Sequence, residues 1–292
     1  MVSQLVGLNF RTKKKAFELD ESGEEYKLLP SGVATIPGKS GFVLMGSYFN
    51  QGDNIAKDAS KGIAFYTLDS KGKLIFKSYN SWEDDFSKYL PLNKKGKIDK
   101  VGFVYIHKFI QTPSGKTFIV SEGYKRQASA GGIAATVLLT AVGGRSNIGV
   151  TKIVVTDMVI MELNDKYKVT NATIYDKTNN TVEGSSMSDY ESQHAIAMMV
   201  KMSGGFDYEF TTADTDNSTF TVCYRDFVRG SDYKGETFNS IRYNGNKFST
   251  DKIELKSKAS RMKVFPAKAG SVMIMEYFKK DKRIDFRLEK LG

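Results

Sequence analysis

The stretch GIAFYTLDSKGKLIFKSYN, residues 62–80, alternates apolar and aromatic positions on either side of Asp-Ser-Lys-Gly. β-branched and aromatic side chains fit a pleated surface. Between the two runs, Asp69 can accept hydrogen bonds from the backbone that follows it, and Gly72 can take the positive φ that closes a hairpin. The plan recurs. KVGFVYIHKFIQT, TFIVSEGYK, TKIVVTDMVIMEL and YKVTNATIYDK form a second group with PSGK and NDK turns. AIAMMVKM, FDYEFTTA, STFTVCYRDF and TFNSIRYNGNKFSTDKIEL form a third, and SRMKVFPA, SVMIMEYF and RIDFRLEKL a shorter fourth. LVGLNF, KKAFEL and EYKLL add two or three strands at the N-terminus.

Groups of four strands at this spacing predict an all-β chain. The expected form is a β-propeller or propeller-like array of four-stranded antiparallel units, with a large β-sandwich as the alternative. The units are expected within one domain, 1–292: N-terminal strands in 1–32, then 33–90, 98–178, 192–258 and 259–292. The second unit carries an insertion over 127–150.

That insertion, ASAGGIAATVLLTAVGGRSNIG, departs from the rest of the chain in being small and aliphatic, with a Gly pair near each end. It is too short to span a bilayer and lacks the Gly-Lys-Ser/Thr ending of a phosphate loop. Helical spacing would put Ile133 and Val137 on one side with Leu138 adjacent, whereas Thr136, Val137, Thr140 and Val142 also suit a strand. A long connection held out by a sheet is a natural contact element. Ile133, Val137, Leu138, Leu139, Val142 and Arg145 are therefore the candidate partner-binding residues, for a protein partner or an oligomer contact. The bland reading is that the insert folds back over its own sheet.

Chemistry-bearing residues are sparse. Of the two histidines, His107 lies in FVYIHKFI and His194 in ESQHAIAMM, neither with a sequence partner of the kind a catalytic triad or a zinc site uses. Glu122 and Asp157 are carboxylates inside apolar strands, which must be paired, exposed at an edge, or functional. If the chain were an enzyme, His107, Glu122, Tyr124 and Asp157 would be its ligand-binding residues. Glu83, Asp84 and Asp85 beside Trp82 read as a solvated loop, and Asp214, Asp216, Asn217 and Ser218 as a hairpin turn. No catalytic residue, metal site or cofactor is assigned. The single Cys223 excludes an intramolecular disulfide and reads as a core thiol.

Lys and Arg exceed Asp and Glu by 10, 43 against 33. An anionic polymer is a conceivable partner, although the lysines come in short groups at expected turns. No transmembrane segment and no secretory h-region is visible.

The segments GSYFNQGDNIAKDASKGIAFYTLDSKGK and FIVSEGYKR resemble an uncharacterised propeller-like family of Bacteroidota, over roughly residues 33–176. The resemblance implies a fold and an envelope setting, in the periplasm or at the outer membrane if a targeting segment is removed and in the cytoplasm otherwise. It implies no activity. The resulting expectation is a non-catalytic binding or scaffold protein of the bacterial envelope acting through protein-protein contacts, with a glycan-active hydrolase or lyase as the alternative.

Overall fold

The computed structural model describes residues 5–9, 11, 13–19, 23–36, 40–144, 149–182, 191–268 and 270–291. Among the described residues the chain is all-β with two short α-helices, and it divides into two compact units, Met1–Gln111 with Gly115–Phe206, and Thr112–Ser114 with Asp207–Gly292.

In the first unit, β1 (Leu5–Asn9) and β2 (Lys14–Leu19) form a two-stranded hairpin. β3 (Tyr26–Thr35), β4 (Gly41–Asn50), β5 (Gly62–Asp69) and β6 (Leu74–Ser81) make a four-stranded antiparallel meander. β3 thus belongs to this sheet rather than to a separate N-terminal group. A second meander runs β7 (Phe103–Gln111), β8 (Thr117–Ala128), β9 (Thr151–Leu163) and β10 (Val169–Tyr175), with β11 (Asn180–Val182) also paired to β9. α1 (Ala130–Ala141) interrupts the β8–β9 connection, and α2 (Gln193–Met202) follows β11.

The turns form as their residues dictate. Asp69 Oδ1 accepts from the amides of Lys71 and Lys73, each at 2.8 Å, and Gly72 has φ +81°. Asn164 plays the same part for Lys166 and Lys168 at the β9–β10 turn.

Period-2 alternation gives each sheet of this unit two apolar faces. Val43, Met45, Ile63 and Phe65 of the first sheet pack with Phe109, Ile119, Val159 and Met161 of the second. Phe65 stacks on Tyr167 at 4.9 Å, and Asn80 Nδ2 donates to the Tyr167 carbonyl at 2.8 Å while its Oδ1 accepts from the Val169 amide. The opposite face of the first sheet, with Leu44, Tyr48 and Tyr66, meets Phe17 and Leu19 of β2. The opposite face of the second sheet, with Tyr124, Ile153 and Val155, is covered by Ile196, Ala197 and Val200 of α2. AIAMMVKM is therefore a helix, not the strand that its apolar run suggests, and His194 lies on that helix. Ser192 caps it by accepting from the Ala195 amide.

The second unit holds β12 (Tyr208–Ala213), β13 (Phe220–Arg229), β14 (Lys234–Tyr243) and β15 (Phe248–Glu254) in one sheet, and β16 (Arg261–Pro266), β17 (Ser271–Phe278) and β18 (Arg283–Lys290) in another. Cys223, Phe238, Leu255, Val264, Val272 and Ile274 form its core. Burial pushes the Cys223 thiol up to about 12, as an inert core thiol requires.

Candidate functional site

Two places in the first unit carry unusual chemistry, and both involve strand β8. The first is a charge cluster beneath α2. Phe103 pairs with Tyr124 and Tyr105 with Glu122 across β7 and β8, so alternation puts these four side chains on the α2 face. A β-bulge between Ile106 and Lys108 lets Ile106 and Phe109 both serve the inter-sheet core while His107 turns the other way. His107 Nε2 donates to Glu122 Oε2 at 3.1 Å, and Lys177 Nζ meets Glu122 Oε1 at 3.2 Å. All three side chains are 0% exposed. Asp157 does not join them as a ligand. Its Oδ1 accepts from the Lys177 amide at 3.1 Å and fixes the segment that delivers the ammonium.

Aromatic rings close this cluster. Phe206 stacks on Tyr105 at 4.9 Å and meets the His107 ring edge-on at 5.1 Å. Tyr124 Oη donates to the Gln193 carbonyl at 2.8 Å, and burial pushes its phenol above the ordinary value. Burial lowers the His107 pKa. Its hydrogen bond to Glu122 and that carboxylate's charge oppose the shift, while Lys201 and Lys177 add to it. Burial thus favours the neutral ring, whose Nε2–H points at the Glu122 carboxylate. A carboxylate–imidazole pair of this kind can act as a general base where substrate reaches it. Here a reacting atom reaches it only if α2 or Phe206 moves.

Three of the four residues expected at an enzyme site, His107, Glu122 and Tyr124, are thus brought together, with Asp157 one step behind. They form a sealed packing layer and not an open concave site. Lys177, the partner that completes the pair, was not singled out from the sequence. It sits in a segment between strands whose placement depends on register.

The second place is the insertion, which is a helix. Ser129 Oγ accepts from the Gly132 amide at 3.1 Å, and Gly144 N donates to the Leu139 carbonyl at 2.7 Å past Gly143, whose φ is +74°. At the foot, Gly132 packs so closely on the returning chain that a Cβ there would lie 2.0 Å from the Gly149 carbonyl oxygen. Gly132 is the only buried residue of α1. Val137, Leu138 and Val142 are 63%, 69% and 79% exposed, with Ile133 and Leu139 also exposed. α1 therefore does not fold back over its sheet. α2 covers that face instead. Arg145 lies outside the described residues.

The remaining acidic groups are turn chemistry. Asp85 accepts from the Ser81 amide and Asp84 from the Ser81 hydroxyl, while Trp82 is buried with Nε1 donating to Ser60 Oγ. Asp214 accepts from the Thr219 amide and the Ser218 hydroxyl, which shapes the β12–β13 hairpin. In the second unit, Ile284, Phe286 and Leu288 of β18 are exposed, whereas Arg287 on the other side pairs with Glu276. Alternation therefore turns the apolar face of β18 outward. No helix among the described residues is long and apolar enough to cross a membrane.

No curated protein matches the chain. A solved structure of a protein of unknown function from Dyadobacter fermentans is similar at 10% identity with a TM-score of 0.38, covering 92% of this chain and 74% of that one. A likeness of that degree carries no argument. The model of DUF6770, a family of unknown function, matches residues 1–292, and the chain belongs to that family.

Proposed function

We propose that this chain is a non-catalytic binding or scaffold protein of the bacterial cell envelope, that its sheets are arranged as propeller-like units, and that α1 is its contact element. One observation carries the reading: a capped helix, held by its foot, leaves Ile133, Val137, Leu138 and Val142 in solvent. Contiguous exposed apolar surface is a liability in a free protein and the mark of a contact surface. A hydrolase or lyase at Glu122 and His107 is the weaker reading, because both side chains are wholly buried.

The test is Leu138→Glu in the full chain. The variant is expected to unfold at the same denaturant concentration as the parent while leaving the envelope fraction, or any larger assembly that the parent forms on a native gel. A variant that stays with the envelope as the parent does overturns the reading.

A further inference from the structure

Resting on α1 as the contact element, we infer that its partner is a lipid leaflet bearing anionic headgroups, into which the helix inserts as the tip of the β8–β9 hairpin. The first support is the distribution of apolar side chains. At about 100° per residue, Leu138 and Val142 point roughly 140° and 180° away from Ile133, and Leu139 roughly 240°. All four are exposed, so the helix is apolar all round. A groove on a protein covers one face of an amphipathic helix. Hydrocarbon covers every face.

α1 is also suited to hydrocarbon in its backbone and its length. Ser129 caps its first turn through the Gly132 amide, Gly144 closes its last turn on the Leu139 carbonyl, and Thr140 Oγ1 donates to the Thr136 carbonyl at 2.7 Å. Twelve residues give a rod of about 18 Å, near the roughly 15 Å of one leaflet's share of the hydrocarbon core. Helices that lie flat on a membrane carry a charged face. α1 has none, so insertion suits it better than lying flat.

The second support is charge. Between Glu122 and Asp157 the sequence has no carboxylate, yet it has Lys125, Arg126 and Lys152 on the strands that flank α1. Register places Gln127 opposite Lys152 and Arg126 opposite Ile153, so Lys125 and Lys152 share one face of the hairpin next to the foot of α1, while Arg126 lies on the other face and donates to the Glu191 carbonyl. Cations at the base of an apolar tip match a surface of anionic headgroups over hydrocarbon.

The full chain is mixed with vesicles of phosphatidylcholine alone or with phosphatidylglycerol and sedimented. Binding is expected to the mixed vesicles, to fall as salt is raised, and to weaken roughly tenfold or more in Leu138→Glu. An environment-sensitive thiol dye on Leu138→Cys reports depth, since the native Cys223 is buried. Its emission is expected to shift to the blue on vesicles and to be quenched by brominated acyl chains. Failure to bind mixed vesicles at low salt, or equal binding by Leu138→Glu, overturns the lipid assignment. If vesicles fail yet Leu138→Glu still leaves the envelope fraction, α1 stands as a contact element for a protein. If that variant also stays with the envelope, both readings fall.

Discussion

α1 and α2 are helices of twelve and ten residues in the same unit, each capped by a serine, and they are used in opposite ways. α2 alternates burial with exposure: Ile196, Ala197 and Val200 go into the sheet, and Met198 and Met202 face outward. α1 has more apolar surface and buries almost none of it. Apolar content alone therefore does not draw a helix onto its own sheet. α2 is docked because its apolar residues recur at helical spacing and because Tyr124, Phe206 and the charge cluster beneath it need a cover. α1 is held at its foot, where Ser129 N donates to the Val150 carbonyl at 2.9 Å and Gly132 packs on Gly149.

The largest effect that would sharpen this comparison lies under α2. Glu122→Ala leaves Lys177 buried without its carboxylate and is expected to cost about 3–5 kcal/mol, read by urea unfolding. Glu122→Leu combined with Lys177→Met removes both charges and should recover most of that loss. A single variant as stable as the parent would show that the cluster is open to water.

Val200→Asp comes next. A carboxylate placed where Val200 is now buried against Ile153 and Val155 has no partner and is expected to cost about 3 kcal/mol. Loss of protection from hydrogen exchange along α2 is the accompanying sign.

A smaller effect depends on pH. Burial lowers the His107 pKa below the ordinary 6.5, so the folded protein resists protonation and the unfolded chain does not. That contribution to stability is fully present above pH 6.5 and is lost as pH falls from there toward the folded pKa, by at most about 1.4 kcal/mol per pH unit. Partial burial moves His194 on α2 in the same direction. The comparison is thus between the parent and His107→Gln, and the variant is expected to show a shallower loss of denaturation midpoint between neutral and mildly acid pH. Identical slopes would mean that the ring titrates as it does in water.

The strands and their turns were legible because both signals are local. Asp69, Asn164 and Gly72 act within a few residues of themselves, and period-2 alternation is visible in any window. AIAMMVKM was misread for the same reason, since a short apolar run has no decisive period. Ser192 before it and Gly204 and Gly205 after it were the available signs of a helix. The charge cluster was half legible. A carboxylate in an apolar strand announces that it needs a partner, and Glu122 was singled out on that ground. Which partner it finds depends on the bulge at His107 and on where the chain after β10 lays Lys177, and both are properties of three-dimensional register.

The smallest expected effect is the most pointed contrast. Val137→Asp places on α1 the same carboxylate that Val200→Asp places on α2, yet Val137 is already 63% exposed. The change should move the unfolding midpoint by no more than about 0.5 kcal/mol equivalent. A larger loss would mean that α1 is sheltered in the free protein, and its role as a contact element would then fail together with the contrast between the helices. A neutral result with intact protection along α2 would show that one valine is kept for the fold and the other for something outside it.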